Sequence, residues 1–249
     1  MLFYKAWLES RSRFFIGLIV IAALCCVFVL FHELFRSRMQ TTRGTLPYQD
    51  YIYLRVYGGF VRGIFLLVAI VLGLGGLNAE RGRNTLMFTL ALPVRRGYLL
   101  ATRAMTGLAE VATLALLPAL LIPWLSAGAG QVYPAFQSWN FFVLWVAIGW
   151  ALFASAFLAS CVFENDYSAL TAALIAFYIY PLAVARTPFL RPYPLHIHYI
   201  MNGTGMPYFD PQTHSFVGPL PWAILGGVLL VSVALIYLAS QLPVRMDRS

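Results

Sequence analysis

The chain has 249 residues and a formal net charge of +8, with 61% hydrophobic residues, only 10% charged residues and a mean hydropathy of +0.77. A soluble domain carries about 25% charged residues, so this composition excludes a fully water-facing surface and requires that most of the outside face lipid. The 17 basic residues are scattered between apolar runs; they read as membrane-flank charge beside anionic lipid, not as a nucleic-acid-binding tail.

The opening segment, residues 1–13, places Phe3, Ala6, Trp7 and Ser10 at helical spacing and turns Lys5, Glu9, Ser12 and Arg13 elsewhere. That pattern predicts a short amphipathic helix lying in the membrane interface. The apolar run after it is longer than a leader's h-region and lacks a small-x-small cleavage pattern, so it is expected to remain as a helix. Six apolar runs, each near the ~20 residues that cross the hydrocarbon, predict spans at about 14–35, 58–77, 101–125, 141–163, 167–184 and 222–242. The runs are continuous and do not alternate, which favours helices over a barrel. The fold class expected is therefore an all-α membrane protein with one transmembrane domain over residues 1–249. Pro118, Pro123 and Pro181 fall within or near the ends of spans and are expected to kink them. Cys25, Cys26 and Cys161 lie in or beside apolar runs with neither a disulfide framework nor a zinc spacing.

With both termini inside, the cytoplasmic side carries Lys5, Arg11, Arg13, Arg81, Arg83, Arg95, Arg96, Arg103, Arg245 and Arg248. The opposite side then carries Arg36, Arg38, Arg43, Arg55, Arg62, Arg186 and Arg191. The excess follows the positive-inside rule. Residues 185–221 would then lie outside. They hold seven of the 14 prolines, which forbid a regular soluble domain and suit an irregular cap or re-entrant segment. His196, His198 and His214 lie there with Met201 and Met206; imidazole and thioether suit a copper ion, and the alternative is a set of amphipathic residues lining a headgroup-level cap. Asn202-Gly203-Thr204 matches a glycosylation sequon.

Two further candidates sit in or beside spans. Glu110 is a carboxylate inside the third span, where such a group is costly and faces either a transport pathway or a structural partner. Glu164 and Asp166 flank the turn between the fourth and fifth spans, either as a contact for a soluble partner or as ordinary turn chemistry.

The connection at 78–97 reads as a short helix from Thr85 to Leu92, with Leu86, Phe88 and Leu90 as apolar teeth and arginines on either side. Pro93 ends its hydrogen-bond ladder and allows a new helix to begin. Such an element can rest on lipid or plug into a groove on a soluble partner. Glu80, Thr85, Leu86, Leu90, Leu92, Pro93, Val94, Arg96 and Arg103 follow the pattern found between the second and third spans of the type-2 ATP-binding-cassette exporter permeases, and the chain resembles that family. Asn84 departs from the usual Gly and Arg103 from the commoner Lys. The likeness is close from Glu80 to Arg103 and elsewhere rests on layout.

The resemblance implies a coupling helix docked on a separate ATPase subunit, with Glu80, Arg83 and Arg96 orienting it and Thr85, Leu86, Phe88, Leu90 and Pro93 shaping the contact. It also implies a second permease subunit, identical or similar, a pathway between the two, and a bacterial inner-membrane location. ATP and Mg would bind the partner, with no cofactor in this chain. The residues agree on one point independently. Lys5 is the single lysine, and no Gly-x-x-x-x-Gly-Lys-Ser/Thr loop exists to hold nucleotide phosphates. A membrane-embedded enzyme would need polar residues converging within the spans; a non-transporting assembly factor would tolerate substitutions in the coupling motif.

Overall fold

The structure, a computed structural model, describes residues 2–37, 46–74, 96–163, 165–186, 197–203 and 206–242. Helix α1 covers Leu2–Leu30 and is followed by a short α2, His32–Ser37. Helix α3, Tyr48–Ile52, runs into a π-helical turn, Tyr53–Tyr57, and α4 follows at Phe60–Gly73. The long helices α5, Arg96–Gly128, and α6, Ala135–Val162, come next, then α7, Asp166–Arg186. A short α8, Ile197–Asn202, precedes an antiparallel hairpin of β1, Phe209–Asp210, and β2, Ser215–Phe216, in which Phe209 faces Phe216. Helix α9, Trp222–Gln241, closes the described chain.

Five of these stretches are long and apolar enough to cross a bilayer: Leu2–Leu30, Tyr48–Gly73, Gly97–Gly128, Ala135–Val162 and Trp222–Gln241. The chain is a mostly helical, multi-pass membrane protein. Large apolar side chains on the outer faces of α1 and α9, such as Ile16, Ile19, Leu230 and Val233, are exposed, as lipid contact requires. Exposed Trp124, Trp139 and Trp222 gather at one end of the bundle and Tyr98, Tyr167 and Tyr237 at the other, the places where amphipathic rings meet the headgroups.

Helix α6 is the core. Its window of span is 61% buried, the most of the five, and Phe141, Leu144, Ile148 and Phe153 are almost fully enclosed. Lipid tails are as apolar as leucine, so such helices associate through close packing at small residues. Gly149 serves this: a Cβ there would sit 2.8 Å from both Phe65 of α4 and Val111 of α5. That contact brings three helices together at one depth.

The two ends of the bundle can be told apart. The Leu2 end holds the start of α1, the end of α4, the start of α5, the α6–α7 turn and the end of α9. The other end holds α2, α3, α8 and the hairpin, and is called here the cap end.

Several expectations need correction. The N-terminal segment is not a separate interfacial helix: residues 2–30 form one helix without a break, because its polar face packs on α5 instead of lying on headgroups. The second span begins at Tyr48, ten residues before the expected Gly58, since Asp50 and Arg55 interrupt its hydropathy but not its backbone. The break falls at Gly58–Gly59 instead, where a Cβ on Gly59 would overlap the Leu54 carbonyl. Pro118 and Pro123 fall inside α5, within the span where they were expected. The 185–221 segment is not wholly irregular; its described part contains α8 and the hairpin.

Candidate functional site

At the Leu2 end, α1 and α5 share a polar seam. Helical spacing on α1 puts Lys5 and Glu9 on one stripe, with a 3.9 Å ion pair between them, and Ser10 beside it. Arg103, almost fully buried on α5, donates from Nη2 to Glu9 Oε2 at 2.8 Å. Two turns deeper, Ser10 Oγ donates to Glu110 Oε1 at 2.5 Å. Glu110 is only 5% exposed, and its Oε2 is buried with no hydrogen-bond partner. A carboxylate oxygen left bare at this depth is costly when charged. It can exchange a proton or meet a cationic group, and little else. Arg13 reaches a different helix, donating from Nη1 to the Val71 carbonyl of α4 at 3.4 Å.

Both pairings cross between segments roughly a hundred residues apart, and the sequence gives no sign of either. Glu110 was readable as an intramembrane acid; Glu9 and Ser10 were readable only as one face of an amphipathic turn.

The predicted coupling residues Glu80, Arg83, Thr85, Leu86, Phe88, Leu90 and Pro93 lie outside the described residues. Arg96 opens α5, and its side chain also lies outside them. What the structure places is the frame: α4 ends at Gly73 and α5 begins at Arg96, both at the Leu2 end. Glu164 and the Asp166 side chain are likewise outside the described residues. Asn165 between them accepts the Tyr167 backbone N–H on Oδ1 at 3.1 Å and so caps α7, which is turn chemistry.

At the cap end the polar groups are organised by aromatic rings. His214 Nδ1 donates to Asp50 Oδ1 at 2.9 Å, and the same imidazole stacks on Tyr53 with centroids 4.5 Å apart. Tyr57 stacks on Phe141 at 4.1 Å and donates to Ser138 Oγ at 2.9 Å. The hairpin is tied to α6 by Gln137, whose Oε1 accepts the Phe216 N–H at 2.8 Å. Asp210 accepts from the Gln212 backbone N–H and the Thr213 hydroxyl, which together hold its carboxyl below the ordinary range. Burial pushes the Tyr208 phenol up to about 12.

This arrangement divides the proposed His/Met set. Met201 is fully buried in the apolar core and His214 is bonded to Asp50. His196 and the His198 side chain lie outside the described residues. Among the described residues, no group of three or more His, Cys, Asp or Glu is placed to hold a metal.

Arg62 lies just past the Gly58–Gly59 break, within the stretch Tyr48–Gly73. Compared with known protein families and with characterised proteins, the sequence matches none.

Proposed function

We propose that this chain is the membrane permease subunit of an ATP-driven exporter, built of six spans, paired with an identical or similar chain, and driven by separate ATPase subunits that bind ATP and Mg. The observation that carries the reading is that α4 ends and α5 begins at the Leu2 end, and that within two turns of the start of α5 the Arg103–Glu9 bond ties α5 to α1. A push on the connection from a docked ATPase would thus move two helices together, which is what coupling by a short rigid element needs. The Glu80–Arg103 motif, and the lack of any phosphate-binding loop in the chain, support the same reading.

The sixth span is α7. It begins at the Leu2 end, where α6 stops, while α8 and the hairpin are bonded at the cap end; the chain between them has to cross. Its 21 residues are about 31 Å of helix, equal to the hydrocarbon thickness. The Leu2 end is then cytosolic and the cap end external, in a bacterial inner membrane. Glu110, at depth with one bare oxygen, is the pathway candidate. Its substrate contact and the partner's identity belong to this proposal too.

The test is to co-purify the chain with its ATPase and follow ATP hydrolysis. Burying one large apolar side chain contributes about 1.5–3 kcal/mol, so Phe88→Asp is expected to weaken association by tenfold or more and to uncouple hydrolysis. Unchanged association and unchanged coupling would reassign the segment to an interfacial helix resting on lipid.

A further inference from the structure

The contacts around Glu110 suit one protonation state of its carboxyl. Its Oε1 meets Ser10 Oγ at 2.5 Å, and its Oε2 is buried with no hydrogen-bond partner among the described residues. Ser10 Oγ also lies 3.3 Å from the Ala6 carbonyl and 3.3 Å from the Trp7 carbonyl, one turn back along α1. A hydroxyl has one proton to give, and a helical serine readily gives it to such a carbonyl. With the carboxyl ionised, that proton is drawn to Oε1, and negative charge still rests on a bare oxygen inside a lipid-facing bundle. A buried charge of this kind becomes neutral instead. With the carboxyl neutral, Oε1–H donates to Ser10 Oγ and Ser10 donates back to α1. Every proton then has an acceptor, and the bare atom is an uncharged carbonyl oxygen.

The neighbouring helices bring no cation to take the charge. Gly107, one turn before Glu110, packs on the Phe153 ring of α6, and Gly73, the last residue of α4, packs on the Phe153 carbonyl. Glu110 therefore stands near the level of the Leu2-end part of α4. Arg62, the charged residue of α4, precedes Gly73 by 11 positions, about 16 Å of helix at 1.5 Å per residue. On α1, Lys5 is paired with Glu9, Arg13 donates to the Val71 carbonyl and Arg11 is exposed. On α5 itself, Arg103 is held by Glu9. Helices α6 and α9 carry no charged residue; Cys161 of α6 lies two turns past Phe153, and Tyr237 of α9 is exposed.

Water has one approach along this seam. A cavity of about 10 Å³ opens between α1 and α5 at the Leu2 end, lined by Leu2, Lys5, Ala6, Leu99, Thr102 and Arg103, room for about one water molecule. Along both helices the Glu9–Arg103 bond stands between this cavity and Glu110.

We propose that Glu110 is a proton-binding site, a neutral carboxylic acid while α1 lies on α5, which releases its proton when the two helices part at the Leu2 end. In that step the Oε1–H bond breaks, the proton passes to water entering the seam, and the carboxylate keeps the bonding electrons. Ser10 then turns its own proton toward Oε1. Closure of the seam reverses the step. The site belongs to this chain alone and does not require the exporter reading, so its test uses neither ATPase nor nucleotide.

The full chain, purified in detergent, is measured by infrared spectroscopy at neutral pH. The wild type is expected to show the C=O stretch of a protonated carboxyl, sensitive to heavy water and missing from Glu110→Gln. Ser10→Ala should move that band to the higher frequency of an acid without a hydrogen-bond partner, which decides the assignment where Glu110→Gln does not fold. Equilibrium unfolding against pH gives the second readout. The folded chain holds a proton that the unfolded chain loses above about pH 5, so raising the pH favours unfolding. Relative to Glu110→Gln, the folded-to-unfolded ratio of the wild type should fall about tenfold per pH unit until the folded carboxyl itself ionises. A wild type with no carboxylic band that responds to Ser10→Ala or Glu110→Gln overturns the site. So does the same pH dependence of unfolding in the wild type and a folded Glu110→Gln variant.

Discussion

The α1–α5 seam and the aromatic cap solve one problem, burying polar groups at the edge of a lipid-facing bundle, by opposite means. The seam joins charges from two helices directly, Glu9 to Arg103 and Ser10 to Glu110, and leaves one carboxylate oxygen bare. The cap wraps its polar atoms in rings, His214 against Tyr53 and Tyr57 against Phe141. The seam therefore adds pair chemistry to two closely packed helices, and the cap rests on ring packing with few pairs.

The largest effect that would break this contrast is expected in the cap. Phe141 is fully buried and meets Tyr53, Tyr57, Phe209 and Phe216. Phe141→Ala should cost about 3–5 kcal/mol through lost contacts and a cavity, read as a drop in melting temperature in detergent. Phe141→Leu should recover much of it. A loss below 1 kcal/mol would mean the rings are not what holds the cap on α6.

The seam should answer to charge. Arg103→Ala leaves Glu9 part-exposed, so the expected loss is about 1–3 kcal/mol, the range of a charge-assisted hydrogen bond with some relief from solvent. The exchange of Glu9→Arg with Arg103→Glu should restore most of the stability, whereas neither single reversal should. If the double exchange is no better than the worse single, the pair is incidental and packing holds the seam as it holds the cap.

The smallest effect concerns the hairpin. His214→Ala removes one hydrogen bond and one ring contact and should cost about 0.5–1.5 kcal/mol. Hydrogen exchange should report it as faster opening of residues 209–216, with α5 and α6 unaffected. Spread of the effect into α6 would show that the hairpin is part of the core and not a lid on it.

The second span shows why parts of this were legible and others not. Residues 60–73 are apolar throughout and announce themselves. Residues 48–57 alternate Asp50 and Arg55 with tyrosines, so their mean hydropathy falls although Tyr48, Tyr51, Tyr53 and Tyr57 are all buried. A tyrosine hydroxyl is satisfied only by a partner, here Ser126, the Phe28 carbonyl, the Asn202 carbonyl and Ser138, and three of the four lie at least 75 residues away. The same holds for the first helix: its polar face is ambiguous between headgroups and a neighbouring helix until α5 is in place.

Composition and run length alone determined that the chain enters a bilayer, that it does so as helices, and where most of those helices lie, because transferring apolar surface out of water depends on local sequence. The sequence also marked Glu110 as an acid at depth. Only the tertiary structure decided which charges are paired, that Nε and Nη1 of Arg62 are buried without a hydrogen-bond partner among the described residues, and that α6 is the most buried of the spans. Those depend on contacts between segments far apart in the chain, and in lipid, where burial no longer distinguishes inside from outside, close packing and hydrogen bonding between such segments set the arrangement.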